Sequence, residues 1–183
     1  TRGGGRIMNN REFIKLAKNG CKTSFDRLMK EYRTELYLIA KIRLGVEADV
    51  EDAVQETLFD AYKHLKYLKN DKGFSTWIIK VLINNCNDIN RRRCREPLCM
   101  DEIMAEKLPD DCNGYFDINC DHDFLELINF LTNEEKTIMI MKYSNDFSNK
   151  EISEALNLSE GTIRTKLYRI KRKMREKYED NRY

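Results

Sequence analysis

The sequence predicts an all-α protein of two small helical domains joined by an acidic linker, the second carrying a C-terminal helix-turn-helix. Three observations carry this. Apolar residues recur every three or four positions through most of the chain, and no segment alternates apolar and polar residues as a half-buried strand would. Gly and Pro are scarce, 8 and 2 in 183 residues, and most stand between the periodic segments. Charge is segregated although the net is only +2: residues 96–123 hold nine acids and one Lys, while residues 160–178 hold eight Lys or Arg against two Glu.

Taken in order, Thr1–Arg6 (TRGGGR) reads as an expression remnant, residues 1–9 as a disordered start, and Met8 as the expected native beginning. A first helix is expected over residues 10–19, stopped at Gly20. Thr23 with Asp26 is expected to cap a second, whose stripe is Phe25, Leu28, Met29, Tyr32, Leu36, Ile39 and Ala40, and which Gly45 ends. Asp49 with Asp52 starts a third, with Val54, Leu58, Ala61, Tyr62, Leu65 and Leu68 on its inner face. Residues 69–74 read as a loop, and Ser75 as the cap of a fourth helix running towards Arg93 or Arg95. This closes a first domain over residues 10–95. Residues 96–123 hold both prolines and a net charge of −8, and read as an extended or partly disordered tether, with room for a short helical patch over residues 98–107. The second domain, residues 124–183, resumes helical spacing over 124–131. There Thr132 with Glu135 caps a helix through Tyr143, and residues 145–147 turn the chain.

The clearest functional signal is in residues 148–177. Ser148 with Glu151 forms a capping box, Ile152, Ala155 and Leu156 give a short helix one apolar face, and Asn157-Leu158-Ser159 breaks it. On the next helix Ile163, Leu167, Ile170 and Met174 form a buried stripe amid Arg164, Lys166, Arg169, Lys171, Arg172, Lys173, Arg175 and Lys177. One helix to brace and a basic one to enter the major groove is the layout of a helix-turn-helix. A basic amphipathic helix facing solvent, or docked on an acidic partner, is the plainer alternative, and the agreement of caps, turn and stripe argues against it.

The fourth helix carries a second chemistry. Its first turns are apolar nearly all round, from Trp77 to Ile83; then come Asn84, Asn85, Asn87, Asp88 and Asn90, and then Arg91, Arg92, Arg93 and Arg95. Asn competes with the backbone for hydrogen bonds and suits helices poorly, so four of them call for a reason. Base recognition is one, since the amide offers a donor and an acceptor. Phe74 and Trp77, with Tyr62 and Tyr67 further back, offer stacking faces, and aromatics beside a basic groove suit single-stranded nucleic acid. A core role for Trp77 and a solvated Asn face are the plainer readings.

Other classes are disfavoured. Two histidines, no convergent His/Asp/Glu set and no phosphate-cradling Gly loop argue against an enzyme, and no cofactor is expected. The six cysteines form no CxxC and read as reduced cytosolic thiols. Cys112, Cys120 and His122 match no structural zinc spacing, so no metal site is expected. No apolar run reaches the length of a membrane span and no signal-peptide pattern opens the chain, so a cytoplasmic location is expected.

The motifs resemble those of the sigma factors of bacterial RNA polymerase, in particular the extracytoplasmic-function (ECF) group. Asp52-Ala-Val-Gln-Glu-Thr-Leu resembles the region-two signature, and Phe74-Ser-Thr-Trp77 leads into the promoter-melting helix. Leu131-Thr-Asn-Glu-Glu-Lys, Lys150-Glu-Ile-Ser and Gly161-Thr-Ile-Arg-Thr-Lys-Leu resemble region four. Ser153, Asn157 and Lys166 depart from that pattern, where Ala, Gly and Arg are usual; the first two are mild changes, and all three put a borrowed −35 preference in doubt.

The resemblance implies residue roles. Asp52, Gln55 and Glu56 would face core RNA polymerase; from the sequence alone, acids in a first helical turn equally complement the helix dipole. Phe74, Trp77, Lys80, Asn84, Asn87 and Arg91 would read and hold the melted −10 element. Thr162, Arg164, Thr165, Lys166, Tyr168 and Arg169 would read the −35 element as duplex, with Arg164 and Arg169 on either a guanine edge or a phosphate. It also implies partners: core polymerase, promoter DNA, and an anti-sigma factor, often membrane-anchored, which would hold the protein at the inner face of the membrane. The acidic tether would thread a positively charged polymerase channel, and the isolated protein would bind duplex DNA poorly. The rival readings are a stand-alone helix-turn-helix regulator, and a helical protein–protein adaptor.

Overall fold

The computed structural model describes residues 5–95, 122–144 and 146–179, and divides the chain into two compact units, Thr1–Phe116 and Asp117–Tyr183. The described residues are helical, with no strand among them. The first unit holds α1 (Gly5–Lys18), α2 (Lys22–Leu44), α3 (Glu47–His64) and α4 (Phe74–Arg95), with two 3₁₀ turns, Leu65–Tyr67 and Asp71–Gly73, between α3 and α4. The second holds α5 (His122–Leu127), α6 (Asn133–Met139) continued by a wide π turn (Ile140–Ser144), α7 (Asn149–Leu156) and α8 (Glu160–Glu179). Of the tether expected over residues 96–123, residues 96–121, with its helical patch, Cys112 and Cys120, lie outside the described residues, and α5 takes up residues 122–123. Of the start expected to be disordered over residues 1–9, residues 1–4 lie outside them, whereas residues 5–9 belong to α1, which begins ahead of the expected residue 10.

Several helix starts differ from expectation for one shared reason: the preceding chain reversal sets the first turn. Gly20 sits at φ 88, and the Cys21 amide donates to the Leu16 carbonyl, so α1 ends and Cys21 is left as the N-cap of α2. Thr23 is therefore inside the helix and caps nothing. Gly45, at φ 77, ends α2, and Val46 becomes the N-cap of α3, three residues ahead of the expected Asp49. Glu47, Asp49 and Asp52 then lie in the opening turns, where negative charge complements the helix dipole. Glu47 also accepts from Lys41 and from the Tyr37 hydroxyl, and these bonds hold its carboxyl below the ordinary range. Ser75 is likewise not a cap: α4 begins at Phe74, and the Ser75 hydroxyl pairs with that of Tyr32 at 3.1 Å.

The first core is made by α2, α3 and α4. Leu28, Leu36, Ile39, Ile78, Ile79 and Leu82 are fully buried in it. The inner face of α3 differs from expectation: Val50, Ala53 and Thr57 are buried together with Val54 and Ala61, while Tyr62 is 47% exposed. Thr57 can enter because its hydroxyl donates to the Ala53 carbonyl at 2.7 Å. Asn85 of α4 donates from Nδ2 to Thr57 Oγ1 at 3.2 Å and to Asp60 Oδ2 at 3.3 Å, a polar lock inside the α3–α4 contact.

In the second unit both expected capping boxes form. Thr132 with Glu135 opens α6, and Ser148 with Glu151 opens α7. α5 stops at Leu127, four residues short of expectation, and Ile128 and Leu131 enter the core from the turn that follows. Asn157 adopts the left-handed conformation at φ 56 that ends α7, and the Ser159 hydroxyl accepts from the Thr162 amide to open α8. Ile152, Ala155, Ile163, Leu167 and Ile170 close the two helices on each other and on Ile138 and Met141.

Two outcomes follow. Asn85→Ala removes both hydrogen bonds of the lock at a cost of about 1–2 kcal/mol, lowering the Tm of the full chain by about 5 °C or more in circular-dichroism melts. Asn84→Ala, at an exposed neighbour, shifts it by under about 2 °C. Separately, hydrogen bonds from Ser24 and then Thr23 stabilise the Cys21 thiolate and bring its pKa down to about 7, whereas burial pushes Cys86 up to about 11. Peptide-resolved alkylation will therefore rise with pH around neutrality at Cys21 and stay slow throughout at native Cys86.

Candidate nucleic-acid interfaces

Trp77, Lys80, Asn84, Asn87 and Arg91 follow one another on α4 at spacings of 3, 4, 3 and 4, so they form one stripe along the helix. The buried residues Ile78, Ile79, Leu82, Cys86 and Ile89 occupy the opposite side. Lys80, Asn84 and Arg91 are exposed, and Trp77 and Asn87 half-buried. Arg91 pairs with Asp88 at 2.8 Å within the helix, and Asn87 Oδ1 accepts from Arg43 Nη2 of α2 at 2.9 Å.

Phe74 does not belong to this surface. It is 1% exposed, with its ring centroid 5.2 Å from Tyr32 and 5.7 Å from Trp77, and so presents no face for a base. Its place at the start of α4 makes it the support under Trp77. Asn85 is likewise committed to the core, so the Asn cluster divides into structural and surface members. Tyr62 and Tyr67 remain open, at 47% and 68% exposure. Part of the arginine run is held as well: Arg92 reaches Glu56 at 3.4 Å and Arg93 reaches Asp49 at 3.1 Å, tying α4 to α3.

Asp52, Gln55 and Glu56 are all exposed on α3, away from its buried Val50, Ala53, Val54 and Thr57. The sequence reading missed Phe59, which follows Gln55 and Glu56 on the same face and is 59% exposed, with Lys63 Nζ 3.7 Å from its ring centroid. The available signal was spacing: Phe59 falls out of step with the buried positions 50, 53, 54, 57 and 61.

On α8, Thr162, Arg164, Thr165, Tyr168 and Arg169 are exposed, Tyr168 to 69%. Thr162 and Thr165 are tied locally: the Thr162 hydroxyl pairs with that of Ser159, and the Thr165 hydroxyl donates to the Gly161 carbonyl at 3.0 Å. Arg164 reaches Glu160 at 3.3 Å one turn earlier, leaving its side chain 73% exposed. Lys166 behaves differently. It is half-buried and bonded to Glu134 of α6 at 2.9 Å, and Lys173, two turns on, is bonded to Glu135 at 2.6 Å. The first turn of α6 thus grips one flank of α8. Burial pushes the Glu135 carboxyl up, but the bonds from Lys173 and Thr132 outweigh it and leave the group below its ordinary range. Arg169 makes no ion pair among the described residues.

No group of three or more His, Cys, Asp or Glu among the described residues is placed to hold a metal. No helix among them is long and apolar enough to cross a membrane.

Comparison with known proteins gives this geometry its context. The family model for sigma-70 region 2 matches residues 28–96, and that for sigma-70, region 4 matches residues 121–174. The ECF RNA polymerase sigma factor SigW of Bacillus subtilis is 26% identical over 180 residues, covering 91% of this chain and 95% of its own. The RNA polymerase sigma factor SigV of the same organism is 27% identical over 145 residues, covering 79% and 85%. Among solved structures, the sigma factor RpoE in complex with the anti-sigma factor NepR from Bartonella quintana superposes with a TM-score of 0.64 at 21% identity, over 83% of this chain and 94% of that one. CnrH in complex with the cytosolic domain of CnrY gives 0.62 at 17% identity, over 95% and 99%. The structures carry the fold and the sequence matches carry the family: this chain belongs to the sigma-70 family of RNA polymerase sigma factors, in its extracytoplasmic-function group.

Proposed function

We propose that the chain binds core RNA polymerase and directs promoter-specific initiation, reading the −35 element as duplex through α8 and the −10 element as melted strand through α4. The observation that carries this is the co-occurrence, in one chain, of two helices that each bury one side and present donors and aromatics on the other. A stand-alone repressor would leave the α4 stripe and the α3 face of Asp52, Gln55, Glu56 and Phe59 idle. An adaptor would have no use for Asn84 and Asn87 beside Trp77.

In this reading Arg164, Thr165, Tyr168 and Arg169 meet the major groove, with Lys166 on the flank. Trp77 and Asn84 take up unpaired bases, while Lys80 and Arg91 hold phosphates. Capturing a base must offset a few kcal/mol of unstacking, so opening is favourable only where the base fits. The protein supplies recognition and no covalent chemistry; polymerase supplies catalysis. It works in the cytoplasm, where core polymerase is. RpoE has been seen with the anti-sigma factor NepR, and CnrH with the cytosolic domain of CnrY; an anti-sigma partner for this chain is the corresponding expectation. The domain limits proposed are residues 10–95 for polymerase and −10 contacts, 96–123 for the tether, and 124–183 for the −35 contacts.

The test is reconstitution. Mixed with bacterial core polymerase and a pool of promoter-bearing templates, the full chain yields discrete transcripts that disappear in Asn84→Ala combined with Arg164→Ala. DNA binding that is equally strong without polymerase points to a repressor, and no effect on either DNA or polymerase points to an adaptor. The paired state of Lys166 gives a second outcome. Because Glu134 already engages it, Lys166→Ala lowers output from −35-dependent templates by under about threefold. Arg169→Ala removes an unpaired cation at the groove and lowers it by about tenfold.

A further inference from the structure

One hydrogen bond between α2 and α4 bears on how the melted strand is read. Arg43, in the last turn of α2, donates from Nη2 to Asn87 Oδ1 at 2.9 Å. A guanidinium carries donors only, so of the two amide atoms only the oxygen can face it. The bond therefore fixes which way round the Asn87 amide sits. Its oxygen is turned onto Arg43, and its Nδ2 is left for whatever lies against the α4 stripe. Both side chains are half-buried, and Arg43 Nε is buried without a hydrogen-bond partner of its own, so packing holds the guanidinium in place. Asn84, one turn earlier on the same stripe, is exposed, and no such bond holds its amide among the described residues. The two asparagines are thus not equivalent: one amide is free to turn, the other is set.

We infer that Arg43 is a positioning residue for base readout, making Asn87 a hydrogen-bond donor to one base of the melted strand. This rests on the −10 reading above. A free Asn amide can pair at once with a donor and an acceptor on a base edge, as it does with adenine. An amide whose oxygen is already engaged by a charged guanidinium offers mainly its N–H. Asn87 then selects a base by the acceptor that base presents at that point. Arg43 touches no nucleic acid in this scheme; it acts through Asn87, from a helix outside both reading elements.

The experiment uses the full chain with bacterial core polymerase and a barcoded pool of linear templates randomised across the −35 and −10 segments. Sequencing the barcoded transcripts gives base preference at every position. In the unaltered protein one −10 position should show discrimination of about tenfold or more attributable to Asn87. Arg43→Ala narrows that position to under about threefold, while other positions keep their ratios. Arg43→Lys, which still donates to the amide oxygen, retains the preference. Asn87→Asp, which offers only acceptors, moves the preference at the same position towards bases with an exocyclic amino group. A uniform loss across all positions in Arg43→Ala, or equal narrowing in Arg43→Lys, overturns the inference and leaves Arg43 a packing residue. If Asn87→Ala narrows the position and Arg43→Ala does not, the positioning role alone fails. If Asn87→Ala changes no position, the −10 role of Asn87 fails with it. Melting curves establish that Arg43→Ala is folded; should it not fold, the contrast between Arg43→Lys and Asn87→Asp decides the matter.

Discussion

The packing of α4 against α3 fixes which residues of α4 face solvent, and so which of them the proposed −10 reading can use. α4 must be buried along one side and legible along the other, and its sequence changes from buried to exposed within single steps: Asn84 is exposed, Asn85 and Cys86 are buried, and Asn87 is half-buried. Successive residues on a helix stand about 100° apart, so turning the helix by one residue would carry Asn84 inward and Asn85 out. Ile78, Ile79, Leu82 and Ile89 resist this through burial, each contributing about 1.5–3 kcal/mol relative to exposure. Burial by itself tolerates some sliding. The hydrogen bonds of Asn85 to Thr57 and Asp60 are directional and do not, so they define the rotation that the apolar face leaves approximate.

How much of this the sequence discloses depends on how local the cause is. The boxes at Thr132/Glu135 and Ser148/Glu151 were legible because both partners lie within four residues and nothing upstream competes. Thr23/Asp26 and Asp49/Asp52 carry the same signature, yet Gly20 and Gly45 had already reversed the chain and begun the helix earlier. Thr57 and Tyr62 exchange their expected places because a hydroxyl bonded to the backbone one turn back is acceptable in a core. Position relative to α4, rather than hydrophobicity, decides which side of α3 faces in. All of these are tertiary overrides of local preference.

The candidate site shows the same division. Period discloses the buried side of α8, whereas the selection of Lys80, Asn84, Asn87 and Arg91 on α4 and of the exposed residues on α8 comes from the family resemblance. What the sequence could not disclose is which polar residues were already engaged. Asn85 looks like Asn84 in sequence, and Lys166 like Arg164; only the fold shows that one of each pair has a partner on another helix. Phe74 erred the other way: an aromatic next to Trp77 reads as a second stacking face, whereas its burial under Trp77 is what holds that ring in position. Phe59 shows itself only once the buried positions 50, 53, 54, 57 and 61 are known, because the inner face of α3 expected from the sequence is a different one.

These engaged cations change the electrostatic meaning of the sequence. The eight cations of residues 160–178 overstate what DNA would meet, since Lys166 and Lys173 are gripped by Glu134 and Glu135 from outside that stretch, and Arg164 and Arg172 lie against Glu160 and Glu176 within it. On α4, Arg92 and Arg93 face Glu56 and Asp49 in the same way. Sequence-independent affinity for duplex DNA grows with the number of phosphates neutralised, so a protein that pre-pairs its cations gives up much of that affinity. In the proposed reading it keeps the contacts that depend on fit: Tyr168 and Arg169 on one helix, Trp77, Asn84 and Asn87 on the other. A recognition subunit that relies on polymerase to bring it to DNA has little use for strong binding of its own. Flanking acids that quiet the reading helices favour a protein silent on bulk DNA and selective once polymerase holds the two helices to a promoter.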